Sequence, residues 1–214
     1  LNLLSWIVNY GVKKNLCQGL LFHIDKPTVN NTVTEDLSDD QLTFLMEAIE
    51  ADSNIQIKNL MKLALYTGMR RGEFFKLKWN DINFDRGFIN IRDPKGGPDQ
   101  VIPLNDAARK IFIELPRTVS AFVFPGRNGE HRVSVQAGVN KIKKAAGLPK
   151  DFRPLHGLRH AYASMLASSG EVDMYTLQRL MTHKDSRMTQ RYAHLRDEGL
   201  KKASNLAGSI IEHA

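Results

Sequence analysis

The period of the apolar residues changes twice along this chain, and that change constrains the fold more than any other feature. Ser38-Asp39-Asp40-Gln41 has the form of a capping box, and behind it Leu42, Phe44, Leu45, Ala48 and Ile49 recur at helical spacing. Ile55, Ile57, Leu60, Met61, Leu63, Ala64 and Leu65 predict a second helix over 54–67, with Gly68 placed to end it. From 73 to 104 the pattern shortens. Trp79, Ile82, Phe84, Phe88, Ile89, Ile91, Val101 and Ile102 fall in brief runs divided by Asp85-Arg86-Gly87 and by Pro94-Lys95-Gly96-Gly97-Pro98, which predicts a small antiparallel sheet of two or three strands. Helical spacing returns at 105–115. A loop holding Gly and Pro covers 116–131, and helices follow at 134–146, 156–169, 173–182 and 187–194. The expected fold class is mainly α with a small antiparallel β-sheet (α+β).

The two ends read differently. Residues 1–22 have helical spacing but look like the end of another unit. Residues 23–37 are polar and β-branched with one proline, which predicts an extended linker. At the other end, 196–213 places Leu200, Ala203, Leu206, Ile210 and Ile211 on one side of an amphipathic segment. On the residues alone, that stripe suits a helix that packs on its own domain. No run of eighteen apolar residues is present, so no membrane span is expected. Cys17 is the single cysteine, which rules out an internal disulfide and fits a reducing, cytoplasmic setting. Residues 1–50 hold three Lys or Arg against seven Asp or Glu, so the net charge of +7 is carried by the rest of the chain. A basic body of this kind invites a polyanion.

Six side chains suit chemistry on a phosphodiester. Arg70, just past Gly68, can offer its guanidinium fork to a phosphate, or pair with Glu73 at a helix end. Lys95 stands at a glycine-rich hairpin tip from which an ammonium can reach a groove, with Lys76 and Lys78 as competitors. His156 and Arg159 are three apart and share a helix face. His160, four from His156, has zinc-pair spacing, yet Gly157 breaks the metalloprotease pattern and no third ligand is evident. A packed helix position is the expected role of His160. His183 and Tyr192 would diverge on one straight helix, but Lys184-Asp185-Ser186 interrupts the period and lets both face a common cleft. A phenol titrates near 10, so a nucleophilic Tyr192 needs strong positive charge beside it.

Taken in order, T-G-M-R-R-G-E at 67–73, L-H-G-L-R-H at 155–160 and H-K-D-S-R-M-T-Q-R-Y-A-H at 183–194 resemble the catalytic domain of the tyrosine recombinases, the phage-integrase family. The resemblance runs from about Leu37 to Leu195. It implies a catalytic domain over 38–195, a core-binding-domain remnant at 1–22, and a C-terminal segment at 196–214 that family members exchange between protomers. It implies a site-specific DNA recombinase or integrase. In that reading Tyr192 forms a 3′-phosphotyrosyl bond, Arg70 and Arg159 bind the scissile phosphate, and Lys95 protonates the leaving 5′-oxygen. His156 assists proton transfer, His183 hydrogen-bonds the phosphate and Glu73 supports the site. No metal, nucleotide or other cofactor is implied. The implied partners are duplex DNA with specific core sites, other protomers (a tetramer on DNA), and accessory bending or directionality proteins, in the cytoplasm of a bacterial cell or phage-infected host. Two other readings stay open on the residues alone: a type IB topoisomerase, which uses a similar site, and a DNA-binding module whose 173–182 and 187–194 helices mimic a helix-turn-helix.

Overall fold

The computed structural model describes residues 2–20, 22–25, 37–94 and 97–196, together with 201, 204–206, 209 and 211. The chain forms two compact units, 1–33 and 34–214. In the first, α1 (Asn2–Lys13) stacks Trp6 on Tyr10 at 5.8 Å and leaves Leu3, Trp6 and Ile7 exposed.

The second unit is built around one helix. Its first helix, α2 (Asp39–Ala51), starts at the expected capping box. The Ser38 hydroxyl accepts from the Gln41 amide at 3.2 Å, and the Gln41 side chain accepts from the Ser38 amide at 3.0 Å. The next, α3 (Ile55–Thr67), is capped by the Asn54 side chain, which accepts from the Ile57 amide. Its buried residues Ile57, Leu60, Met61, Leu63, Ala64 and Leu65 span more than one face. It is accordingly the central helix, touching α2, α5 (Asp106–Glu114), α6 (Gln136–Ala145) and α7 (Pro154–Ser168). Proline in the first turn lets α7 begin two residues before the sequence pattern suggests.

The segment read as sheet from residue 73 begins as a helix. Glu73 reaches back to accept the Arg70 amide at 2.7 Å, and that half of a capping box nucleates α4 (Arg71–Lys76). Trp79 then lies in a 3-10 turn (Trp79–Asp81) with Arg117 4.5 Å above its ring, rather than in a strand. The sheet is confined to β1 (Ile82–Asn83), β2 (Phe88–Ile91) and β3 (Gln100–Pro103), antiparallel in sequence order. Ile89 faces Ile82 on one side and Ile102 on the other, so one buried row of isoleucines fixes the register while Phe88 and Val101 point outward.

Two short helices follow α7. They are α8 (Met174–Leu180), capped by Asp173, and α9 (Arg187–Gln190). The break expected at 184–186 is present. The helix expected to run to 194 is instead interrupted: the Tyr192 amide donates to the Thr189 carbonyl in 3-10 fashion, and a 3-10 turn covers Ala193–Arg196. Tyr192 is the large buried residue of a second, smaller core shared by Ala163, Ala167, Leu177 and Met181. Of the C-terminal stripe, Leu200, Ala203 and Ile210 lie outside the described residues; Leu206 and Ile211 are exposed. Among the described residues no helix is long and apolar enough to cross a membrane.

Gly68 ends α3 in the left-handed region with φ 62°, and a Cβ there would strike the Tyr162 ring. An L-residue costs about 1–2 kcal/mol in that conformation, and forced overlap in a packed core adds about 1–3 kcal/mol. Gly68→Ala is therefore expected to lower the unfolding free energy by about 2–5 kcal/mol in urea titrations, with an unchanged m-value.

Candidate active site

Two arginines join the C-terminal ends of α3 and α8. Arg159, on α7, is buried and donates to two backbone carbonyls, those of Gly68 and Met181. Each of these residues caps a helix C-terminus, where unpaired carbonyls concentrate negative partial charge. Arg70, two residues past Gly68, binds the α8 end through Thr182. Its Nη1 donates to Glu73 Oε1 at 2.9 Å and to the Thr182 hydroxyl at 2.5 Å, and its Nη2 donates to the Thr182 carbonyl at 3.1 Å.

Thr182 can do this because α8 ends in a Schellman motif. The His183 amide donates to the Gln178 carbonyl and the Thr182 amide to the Arg179 carbonyl, with Thr182 at φ 50°. That position favours glycine, and a β-branched residue there is strained. The Thr182 hydroxyl, held against both Arg70 and Glu73, is what a glycine would lack.

A second network surrounds the phenol. Tyr192 is 1% exposed, and its hydroxyl lies 2.5 Å from His160 Nδ1. The other ring nitrogen of His160 lies 2.9 Å from His156 Nε2 and 3.4 Å from Arg191 Nη1. His160 is buried, whereas His156 is exposed. His183 Nδ1 pairs with the buried Thr189 hydroxyl at 2.8 Å. Among the described residues no group of three or more His, Cys, Asp or Glu side chains is placed to hold a metal ion.

Of the residues singled out in the sequence, Arg70, Glu73, His156, Arg159, His183 and Tyr192 belong to these linked networks. Lys95 lies outside the described residues; of the residues after it, Gly97 has the Lys184 side chain against it. Its competitors are engaged elsewhere, Lys76 with Asp93 at 3.3 Å and Lys78 over the Phe122 ring. Sequence reasoning missed Thr182, Thr189 and Arg191. It took His160 for a packed position; His160 is packed, but its ring also touches the Tyr192 hydroxyl. The available signal was its place four residues after His156, on the same helix face.

The charge balance favours an anion. Burial, then the nearby Arg70 charge, lowers the Arg159 guanidinium to about 10, against a counter-pull from Glu73 and Tyr192. Among the described residues no carboxylate hydrogen-bonds Arg159. Positive charge held out of water without a full counter-ion is pre-organised for a bound oxyanion. The same surroundings keep His183 neutral: burial first, then Arg159, Arg70, Arg191 and His160, lower its pKa to about 3. A neutral imidazole can still donate one N–H. Because the unfolded chain takes up a proton at His183 near 6.5 while the folded chain resists until about 3, stability falls as pH drops through that window. His183→Asn should therefore lose less melting temperature than the wild type between pH 6.5 and about pH 4.

Comparison with known proteins places this arrangement. The model of the phage integrase family matches residues 35–199. A tyrosine recombinase of Thermosipho africanus is 30% identical over 179 residues, covering 82% of this chain and 62% of that protein. Tyrosine recombinase XerA of Pyrococcus furiosus is 29% identical over 194 residues, covering 86% of this chain and 67% of that protein. The chain thus spans roughly three-fifths to two-thirds of the length of these relatives. Among solved structures, the fold is shared with a XerA recombinase (TM-score 0.63, 24% identity, 85% of this chain and 66% of that one). It is also shared with the Tn1549 transposon integrase in complex with transposon right end DNA (TM-score 0.73, 19% identity, 95% of this chain and 77% of that one). The chain belongs to the phage integrase family, the tyrosine recombinases.

Proposed function

We propose that this chain is the catalytic part of a site-specific DNA recombinase that cuts and rejoins duplex DNA through a tyrosine-linked intermediate. The observation that carries the reading is the joining of Arg70, Arg159, His183 and Tyr192 about the ends of α3 and α8, with positive charge in excess. The DNA-bound relatives of the same fold support duplex DNA as the partner.

In this reading the Tyr192 oxygen attacks phosphorus, the bond to the 5′-oxygen breaks, and the strand is left as a 3′-phosphotyrosyl ester. Arg70 and Arg159 bind the non-bridging oxygens and stabilise the charge of the pentacoordinate transition state. His183 donates its N–H to one of them. Lys95 protonates the leaving 5′-oxygen. His156 takes part in proton transfer, and Glu73 holds Arg70 through the contact at 2.9 Å. The ester conserves the energy of the broken bond, so rejoining to another strand's 5′-hydroxyl needs no nucleotide. Tyr192 is buried, so attack requires the cover over its hydroxyl to open. Strand exchange takes several protomers, and a tetramer on paired sites, with accessory bending or directionality proteins, completes the reading. Residues 38–195 are the catalytic domain in this scheme, 1–22 the end of a DNA-clasping domain joined through 23–37, and 196–214 the segment that docks on a neighbouring protomer.

A pool of random duplexes carrying a nick near the cut site traps the covalent intermediate, because the released short strand diffuses away. The wild type should yield a protein–DNA adduct whose mass maps to Tyr192, and Tyr192→Phe should yield none. An adduct on another residue, or one retained by Tyr192→Phe, would reject the reading. Arg70→Ala should slow adduct formation by about a hundredfold or more, the scale of losing one donor to an oxyanion. Duplex affinity should change much less, because other basic residues hold the backbone.

A further inference from the structure

The phenol of Tyr192 is enclosed, yet it must lose a proton to become a nucleophile. Its hydroxyl lies 2.5 Å from His160 Nδ1, and His160 Nε2 lies 2.9 Å from Nε2 of His156, which is exposed. The two imidazoles are four residues apart on α7 and meet edge to face with centroids 4.4 Å apart. The chain of contacts thus runs from a buried hydroxyl through a buried imidazole to one at the surface. We propose that His160 is a catalytic residue: it takes the Tyr192 proton on Nδ1 while passing the proton on its Nε2 to His156, so that a two-histidine relay activates the nucleophile. The inference rests on the recombinase reading of the site.

The protons balance. In the resting state His160 carries its hydrogen on Nε2 and His156 carries its own on Nδ1, so the contacts to Tyr192 and to His156 each join one donor to one acceptor, while Arg191 Nη1, itself only a donor, faces Nε2 at the edge of hydrogen-bond range, 3.4 Å, without donating to it. As the Tyr192 O–H bond breaks, a new N–H bond forms at His160 Nδ1, the His160 Nε2–H bond breaks and a new N–H bond forms at His156 Nε2. The phenolate electron pair then attacks phosphorus, and the leaving 5′-oxygen takes its proton from the general acid. His156, now an imidazolium at the surface, releases its extra proton to water. Rejoining runs the steps in reverse.

The surrounding charges favour transfer through His160 rather than storage on it. Arg191 Nη1 is 3.4 Å from His160 Nε2, and a lasting imidazolium beside that guanidinium is disfavoured. Charged or titratable groups near His160 include His156 on its own helix, Tyr192 in the turn after α9, and His183 on the loop between α8 and α9. Arg159 and ionised Tyr192 attract one another, which favours the phenolate once the proton has gone.

His160→Asn tests the relay, because the Asn Oδ1 sits where Nδ1 was. It accepts the phenol hydrogen bond but cannot take the proton onward. Single-turnover adduct formation is measured from about pH 5 to pH 9. The wild-type rate should fall on the acid side, where a proton already on the relay leaves no place for the one from Tyr192. H160N should be slower by about 10²-fold or more, the scale of general-base catalysis, and should lose that acid limb. A 5′-bridging phosphorothiolate, whose leaving group needs no proton, should leave the H160N defect in place. An H160N variant with the wild-type rate, one that is slow but keeps the acid limb, or one rescued by the phosphorothiolate overturns the relay. Should H160N fail to fold, ¹⁵N-histidine NMR of the wild type decides: Nδ1 of His160 unprotonated and Nε2 protonated is expected, and the opposite tautomer overturns the proposal. A wild type that forms no adduct at all rejects the recombinase reading instead, a result distinct from any failure of His160.

Discussion

Arg159 between the last carbonyls of α3 and α8 is the contact on which the rest of the site depends. A buried guanidinium needs partners, and here two helix ends supply them. Helix C-termini carry partial negative charge, so they can hold the cation without neutralising it as a carboxylate would. The arginine is thereby fixed and desolvated while keeping its field. Arg70 repeats the arrangement at the rim, bridged to the α8 end through Thr182 and steadied by Glu73. Both helix ends adopt left-handed terminations, Gly68 on one and Thr182 on the other. Fold and chemistry meet in those two residues: each turns its helix end toward the arginines, and each would have to move for the arginines to separate.

The sequence was most readable where a local rule acts within four residues. The Ser38–Gln41 box, the Gly68 stop and the isoleucine row of the sheet all follow from spacing that a short window contains. The helix at 71–76 is not legible in a short window because its start depends on Glu73 reaching back to the Arg70 amide, in a stretch whose aromatic residues also suit strands. The helix through Tyr192 was read as continuous because the apolar pattern does not register a switch to 3-10 hydrogen bonding.

The site was legible as a set of residues and illegible as a network. Arg70 meets Thr182 across 112 positions, and Tyr192 meets His160 across 32. No periodicity reports contacts of that range; only tertiary packing makes them. Thr182 was hidden for a second reason, since a Schellman motif is normally announced by glycine, and here a β-branched residue takes the left-handed place. His160 was hidden by its own burial. A histidine on the inner face of a helix reads as core, and only the position of the phenol oxygen gives its ring a chemical role.

Catalysis at this site requires one oxyanion to be shared by both guanidiniums at the meeting of the two helix ends. Soaking crystals of the protein with tungstate, a heavy phosphate analogue, and recording anomalous scattering locates such an anion directly. The principal peak should fall within hydrogen-bonding reach of Arg70 and Arg159 and beside His183, and should vanish in Arg70→Ala. Tungstate bound only on the outer basic surface, with none between the two arginines, would contradict it.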